Sequence, residues 1–134
     1  MEGRLKYKLV QLRDALDNFE KSLAIDTDTL DETVVDSIKS GRIQKFEFCT
    51  ELVWKTLKVY LLEFNGIDSN SPKSAIKEFY GLGLLTLEDY EKLMEAVDDR
   101  NRVSHIYNKA QFEDIYNRVI QTLPLFKHVL KQIT

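Results

Sequence analysis

The residues best suited to chemistry lie close together near position 100, in the segment Arg100-Asn101-Arg102-Val103-Ser104-His105-Ile106-Tyr107. The segment follows an amphipathic helical pattern, at positions where apolar residues would be expected to continue. An arginine presents a planar fork of donors that matches phosphate oxygens, and an imidazole can take or give a proton near neutral pH. RNA carries its own nucleophile in the 2′-hydroxyl group. Arg100 and His105 therefore have the chemistry for metal-independent RNA cleavage, provided that two chains meet and bring two such pairs together.

The same residues also have a purely structural explanation. Arginine and histidine near the C-terminal end of a helix complement the negative end of its dipole, and Asn108 is suited to cap that same end. Asp98 and Arg102 are four residues apart and can pair on a helix surface. Spacing alone leaves both interpretations open.

Apolar side chains recur every three or four positions through most of the chain, the period of a helix with one buried face. The first such helix is predicted from about Leu5 to Ile25, and a second begins near Leu30. We expect an interruption at Ser40-Gly41, after which the apolar stripe becomes very regular and ends at Asn65-Gly66.

Capping residues mark the later helices. Ser71-Pro72 begins a short helix, with the proline in its first turn, and Thr86 caps the helix that leads to Arg100. The last helix starts near Lys109 and contains Pro124, which predicts a kink or a break. The predicted fold is all-α: an up-and-down antiparallel helical bundle of four long helices plus a short one, forming a single domain over residues 1–134.

The composition argues against several classes of protein. With 43% hydrophobic and 31% charged residues, the chain is expected to bury a globular core. A net charge of −3 gives no overall attraction to nucleic acid. The lone Cys49, the two histidines and the absence of ligand spacing predict no disulfide, no metal and no cofactor. No segment resembles a signal peptide or a membrane span, so we expect a cytoplasmic location.

Several motifs, in order along the chain, carry a resemblance to a known family. The pattern Arg-Asn-x-x-Ser-His-x-Tyr at 100–107, preceded by Asp98-Asp99, resembles the R-x-x-x-x-H-x-Y motif of HEPN-domain proteins. The segment 46–58 resembles the second-helix signature of the minimal members, and Ser71-Pro72-Lys73 and Gly81-Leu82-Gly83-Leu84 fit the same pattern. The chain is thus similar, over nearly its whole length, to the branch called nucleotidyltransferase substrate-binding proteins.

The resemblance implies a helical homodimer in which the arginine–histidine motifs face each other. Active HEPN relatives are metal-independent endoribonucleases that often act as toxins. Their antitoxin is a minimal nucleotidyltransferase encoded nearby, which can transfer AMP to the tyrosine of the motif.

Site roles follow from the resemblance position by position. Arg100 would neutralise the scissile phosphate and His105 would transfer protons, while Asn101 and Ser104 would position them through hydrogen bonds. Glu47, on the edge of the facing helix, would either orient Arg100 or serve as a surface or capping carboxylate.

Tyr107 would be the site of adenylylation. It follows Arg100 by seven residues, so the two would share a face if the helix continues that far. A phosphate placed there would block the substrate by occupancy and by like-charge repulsion.

Three functions remain open from the sequence. The first is an RNA-cleaving toxin regulated at Tyr107. The second is a non-catalytic partner subunit that presents a substrate to a nucleotidyltransferase, which the acidic net charge suits better. The third is a structural helical module whose polar segment only ends a helix. No Gly-rich phosphate loop is present, so the chain is not expected to be the transferase itself.

Overall fold

The structure, a computed structural model, describes residues 2–134, with side chains from Gly3 onward. Within that range every regular element is an α-helix. The six helices are α1 (Glu2–Leu23), α2 (Glu32–Asn65), α3 (Pro72–Gly81), α4 (Leu87–Val103), α5 (Lys109–Val119) and α6 (Leu123–Gln132). None of these helices is long and apolar enough to cross a membrane. The all-α prediction is confirmed.

Side-chain caps begin the helices that surround the polar segment. The hydroxyl oxygens of Ser71 and Thr86 accept hydrogen bonds from backbone N–H groups in the first turns of α3 and α4. Asn108 does the same for α5, where its Oδ1 accepts from the N–H of Gln111 at 2.8 Å. Gly66 ends α2 in the left-handed region, at φ 65°, which favours glycine. The caps expected at Ser71 and Thr86 are confirmed. The cap expected from Asn108 at the end of α4 is wrong, because Ser104 occupies that position and Asn108 caps the start of α5.

The interruption expected at Ser40-Gly41 is wrong, because α2 runs unbroken from Glu32 to Asn65. A glycine inside a helix costs only about 1 kcal/mol, and packing around the next residue offsets that cost. Arg42 is buried, and its guanidinium donates to the carbonyl oxygens of Ser22 and Ile25 and to the hydroxyl of Tyr116, at 2.8–3.1 Å. These bonds join α2 to the C-terminal end of α1 and to α5.

The break expected near Pro124 is confirmed. The predicted last helix is two helices, since α5 ends at Val119 and α6 begins at Leu123 with the proline in its first turn. Proline lacks the N–H that an interior position needs, but a first turn does not require it. The predicted count of four long helices and one short helix is therefore corrected to six helices.

A core of large apolar side chains fixes where the polar segment lies. Phe19, Phe46, Phe79 and Phe126 are fully buried, and the rings of Phe46 and Phe126 are 6.1 Å apart. The buried apolar face of α4 ends at Val97. Beyond that point α4 carries the polar residues of the motif.

Candidate functional site

The helix that carries the motif ends before the motif does. α4 stops at Val103, and the N–H of His105 donates to the carbonyl oxygen of Arg102 at 2.8 Å. Residues 104–108 form a connection to α5, which we call the 104–108 turn. The expectation that Tyr107 shares a helical face with Arg100 is therefore wrong, because Asn108 begins a new helix.

Arg100 is held by a carboxylate on α2. Its Nη2 lies 2.8 Å from Oε2 of Glu51, and both side chains are about two-thirds buried. Its Nε is buried and has no hydrogen-bond partner among the residues that the structure describes. Glu47, expected to orient Arg100, lies one turn earlier on α2 and is half-buried. The structure thus corrects the expected partner of Arg100 from Glu47 to Glu51.

The Glu51 carboxylate is well stabilised in its charged form. Burial by itself would raise the pKa of Glu51, but the hydrogen-bonded ammonium of Lys55 and the charge of Arg100 lower it below its ordinary value. The ammonium of Lys55 is 3.1 Å from the other carboxylate oxygen, Oε1. Glu51 therefore presents a permanent negative charge to Arg100 at neutral pH.

A second carboxylate, Asp99, joins α4 to α5 behind the 104–108 turn. Asp99 is only 2% exposed. It accepts hydrogen bonds from Arg102 Nη1 at 2.8 Å and from Arg118 Nη2 and Nε at 2.8 and 2.9 Å. The hydrogen bonds that the two arginines donate to Asp99 raise the pKa of both arginines. The network fixes α5, and with it the far end of the turn, against α4.

His105 lies in an open cleft between the end of α4 and α5. The cleft has a volume of about 530 Å³ and is lined by Glu95, Asn101, Arg102, His105, Gln111, Asp114, Ile115 and Arg118. The side chains of Asn101 and His105 are exposed and have no hydrogen-bond partner in residues 2–134. Arg100 is not among the lining residues. The structure therefore brings Asn101 and His105 into one cleft and places Arg100 against α2.

Ser104 and Tyr107 lie in the turn itself. Ser104 is exposed and caps the end of α4. Tyr107 is 81% exposed, and its backbone N–H donates to Oε1 of Gln111 at 2.8 Å. The phenol is thus presented to solvent on a turn that is anchored at both ends.

The surface ion pair expected between Asp98 and Arg102 is wrong. Asp98 pairs with Lys73 of α3 at 2.6 Å, and Arg102 pairs with Asp99 and Glu95. Residues 98 and 102 share a helix, but other partners are better placed. Asp99 stands beside the motif in the sequence, but its role and that of Arg118 were not predicted. The only available signal was two adjacent acids where the buried face of the helix ends.

In the described part of the chain, no group of three or more His, Cys, Asp or Glu side chains is arranged to hold a metal ion.

Among known proteins, one family profile and one crystal structure are similar to this chain. The profile of the family described as "Nucleotidyltransferase substrate binding protein like" matches residues 7–134. A crystal structure of a protein from Thermus thermophilus is similar, with a TM-score of 0.79 and 28% sequence identity, over 91% of this chain and 98% of that one. No curated protein matches the chain.

Proposed function

The chain belongs to the family of nucleotidyltransferase substrate binding protein like proteins, and from this premise we propose that it is the HEPN-type partner of a separate minimal nucleotidyltransferase. The observation that carries the proposal is the exposure of Tyr107 on the 104–108 turn. A transferase must reach the phenol oxygen directly, and 81% of this side chain is open to solvent.

Tyr107 is the proposed acceptor of AMP. Its hydroxyl oxygen attacks the α-phosphorus of ATP, the bond to the β-phosphate oxygen breaks, and pyrophosphate leaves while the phenol proton passes to solvent or to a base of the transferase. The product carries a phosphodiester two residues from His105. Its negative charge and bulk would exclude a phosphate-bearing substrate from this turn.

Co-expression with a minimal nucleotidyltransferase encoded beside the gene tests this step. Mass spectrometry of the purified chain is expected to show one or more added AMP groups, all lost in Tyr107→Phe. Tyr7→Phe is the matched control, because Tyr7 is also well exposed but lies on α1. AMP on Tyr7, or no AMP on either residue, would contradict the assignment.

We propose further that the chain cleaves RNA as a homodimer and that adenylylation switches this activity off, as in a toxin–antitoxin pair. Arg100 faces α2 whereas His105 lines the cleft beside α5. In the proposed dimer, His105 of one protomer lies beside Arg100 of the other, so the two groups that are apart in one chain meet across the interface. The exposed side of α2 near Glu51 favours such contact, because Phe48, Lys55 and Leu62 are all exposed there.

The reaction needs no metal. One imidazole removes the proton of the 2′-hydroxyl, the 2′-oxygen attacks phosphorus, and the bond to the 5′-oxygen breaks to leave a cyclic phosphate. A second imidazole protonates the departing 5′-oxygen, and the guanidinium of Arg100 stabilises the charge on phosphorus. In this proposal Asn101 and Ser104 position the reacting groups through hydrogen bonds.

Incubation of the purified protein with RNA and EDTA tests the activity. We expect cleavage by wild type and its loss in Arg100→Ala and His105→Ala. His128→Ala is the control, since His128 lies on α6, outside the cleft, and 43% of its side chain is exposed. If wild type and all variants are inert at high protein concentration, the alternative holds: the chain is a non-catalytic partner subunit that presents a substrate to the nucleotidyltransferase.

A further inference from the structure

The cleft beside His105 carries no surplus positive charge, although two arginines line it. Arg118 donates through Nε and Nη2 to Asp99 and through Nη1 to Asp114. Arg102 donates through Nη1 to Asp99 and Glu95. An anion entering the cleft would meet cations that already have partners, next to two carboxylates. The charges therefore favour a neutral ligand over a phosphate.

The groups that remain free are suited to a planar polar ligand. The Asn101 amide makes no hydrogen bond within the described chain. The Gln111 amide uses its oxygen to accept from the N–H of Tyr107 at 2.8 Å, which leaves its amino group free to donate. Asparagine and glutamine amides pair with the edge of adenine through matched donors and acceptors.

A flat surface and an apolar wall complete the match. The guanidinium of Arg102 is a plane on which an unstacked base can lie, and the imidazole of His105 stays at the edge of the subsite for proton transfer. Ile115, which is only 5% exposed, provides apolar surface. Glu95 and Asp114 add acceptors that suit an exocyclic amino group and disfavour a keto oxygen.

We infer that this cleft is a nucleobase subsite, which takes a base bearing an exocyclic amino group, such as adenine, from the nucleotide next to the scissile phosphate. The placement beside the scissile bond rests on the proposed RNA cleavage, but recognition of the base does not. Asn101 and Gln111 are then specificity residues for that base.

Titration of the protein with nucleosides, followed by backbone NMR shifts, tests the subsite without any RNA cleavage. Adenosine is expected to shift the resonances of Asn101, His105, Gln111 and Ile115, with uridine about tenfold weaker. Inorganic phosphate is expected to shift none of them.

Substitutions at single residues test which side chains recognise the base. Gln111→Glu keeps an oxygen to accept from Tyr107 but removes the amino donor, and we expect it to weaken adenosine binding about tenfold, as Asn101→Ala should. Gln44→Ala, an exposed amide on α2, is the control and should bind as wild type does.

Equal binding of adenosine and uridine, shifts caused by phosphate, or no shifts at nucleoside saturation would overturn the inference. RNA cleavage without adenosine binding would remove the subsite and leave the proposed nuclease intact. Adenosine binding without RNA cleavage would remove the proposed nuclease and leave the subsite intact.

Discussion

Arg100 and His105 lie in opposite kinds of environment within one protomer. Arg100 is largely buried and fixed by Glu51, whereas His105 is exposed and its ring has no hydrogen-bond partner among the described residues. A cation that must stabilise a transition state benefits from being held in advance, because no reorganisation is then needed during the reaction. In the proposed reaction Glu51 is accordingly the positioning residue for Arg100.

Replacing Glu51 by Gln is expected to lower the rate of RNA cleavage about tenfold, a change of about 1.4 kcal/mol in the barrier. The amide keeps the shape of the side chain but removes the charge that orients the guanidinium. Glu91→Gln, an exposed carboxylate on α4, should leave the rate unchanged. A rate for Glu51→Gln equal to wild type would show that Arg100 is not positioned by this pair.

The pair with Arg100 also has a defined pH range. The pKa of Glu51 is lowered from its ordinary value of 4.5. The stabilisation is therefore complete above that ordinary value and is lost as the pH falls through the lowered folded-state value. Between pH 5 and pH 8, roughly the range where imidazoles titrate, the ion pair stays intact.

The reactivity of the Cys49 thiol tests the burial of a single residue. Its side chain is fully buried, and burial raises the pKa of the thiol to about 12, although Lys45 lowers it somewhat. Only the thiolate reacts with alkylating agents. We expect iodoacetamide to leave Cys49 unmodified at pH 8 in the native protein and to modify it fully in urea. Rapid labelling of the native protein would contradict this burial.

At the scale of the helices, periodicity and caps were enough to predict the all-α fold, most helix starts and the break near Pro124. The contacts that build the site were not predictable, since they join positions far apart in the chain, such as Glu51 with Arg100 and Asp99 with Arg118. No spacing rule within one helix identifies such partners. The helix end at Val103 was missed because no glycine or proline follows it to stop the helix.

The Asp99 network is expected to contribute to stability. Replacing Asp99 by Asn removes the charge that two arginines share, and we expect the free energy of unfolding to fall by about 2 kcal/mol. Urea denaturation followed by circular dichroism measures this change.

Asp98→Asn is the matched control, because Asp98 is the neighbouring residue and pairs with Lys73 at the surface. Exposed pairs contribute less than about 1 kcal/mol. Equal losses in the two variants would mean that the network across α4 and α5 is no stronger than a surface pair.

At the scale of the whole molecule, the account requires two protomers to meet along α2. Phe48 is 60% exposed on that side, one turn before Glu51. We expect Phe48→Glu to convert a dimer into a monomer in light scattering, because a charge would have to be buried without a partner.

Val34→Glu is the control for this variant. Val34 is an exposed apolar residue near the start of the same helix, and its replacement should leave the dimer intact. Persistence of the dimer in Phe48→Glu would place the interface on another face of the molecule.

The central claim is that Arg100 of one protomer and His105 of the other act in a shared site. The most direct test is to mix the inactive Arg100→Ala and His105→Ala proteins under conditions in which subunits exchange. Native mass spectrometry confirms that mixed dimers form, and RNA cleavage by the mixture is then measured. We predict that the mixture cleaves RNA faster than either parent but more slowly than wild type, because the mixed dimer retains one Arg100 and one His105 on opposite protomers, and water replaces the second imidazole as the acid. Mixed dimers that form but cleave no faster than their parents would contradict it.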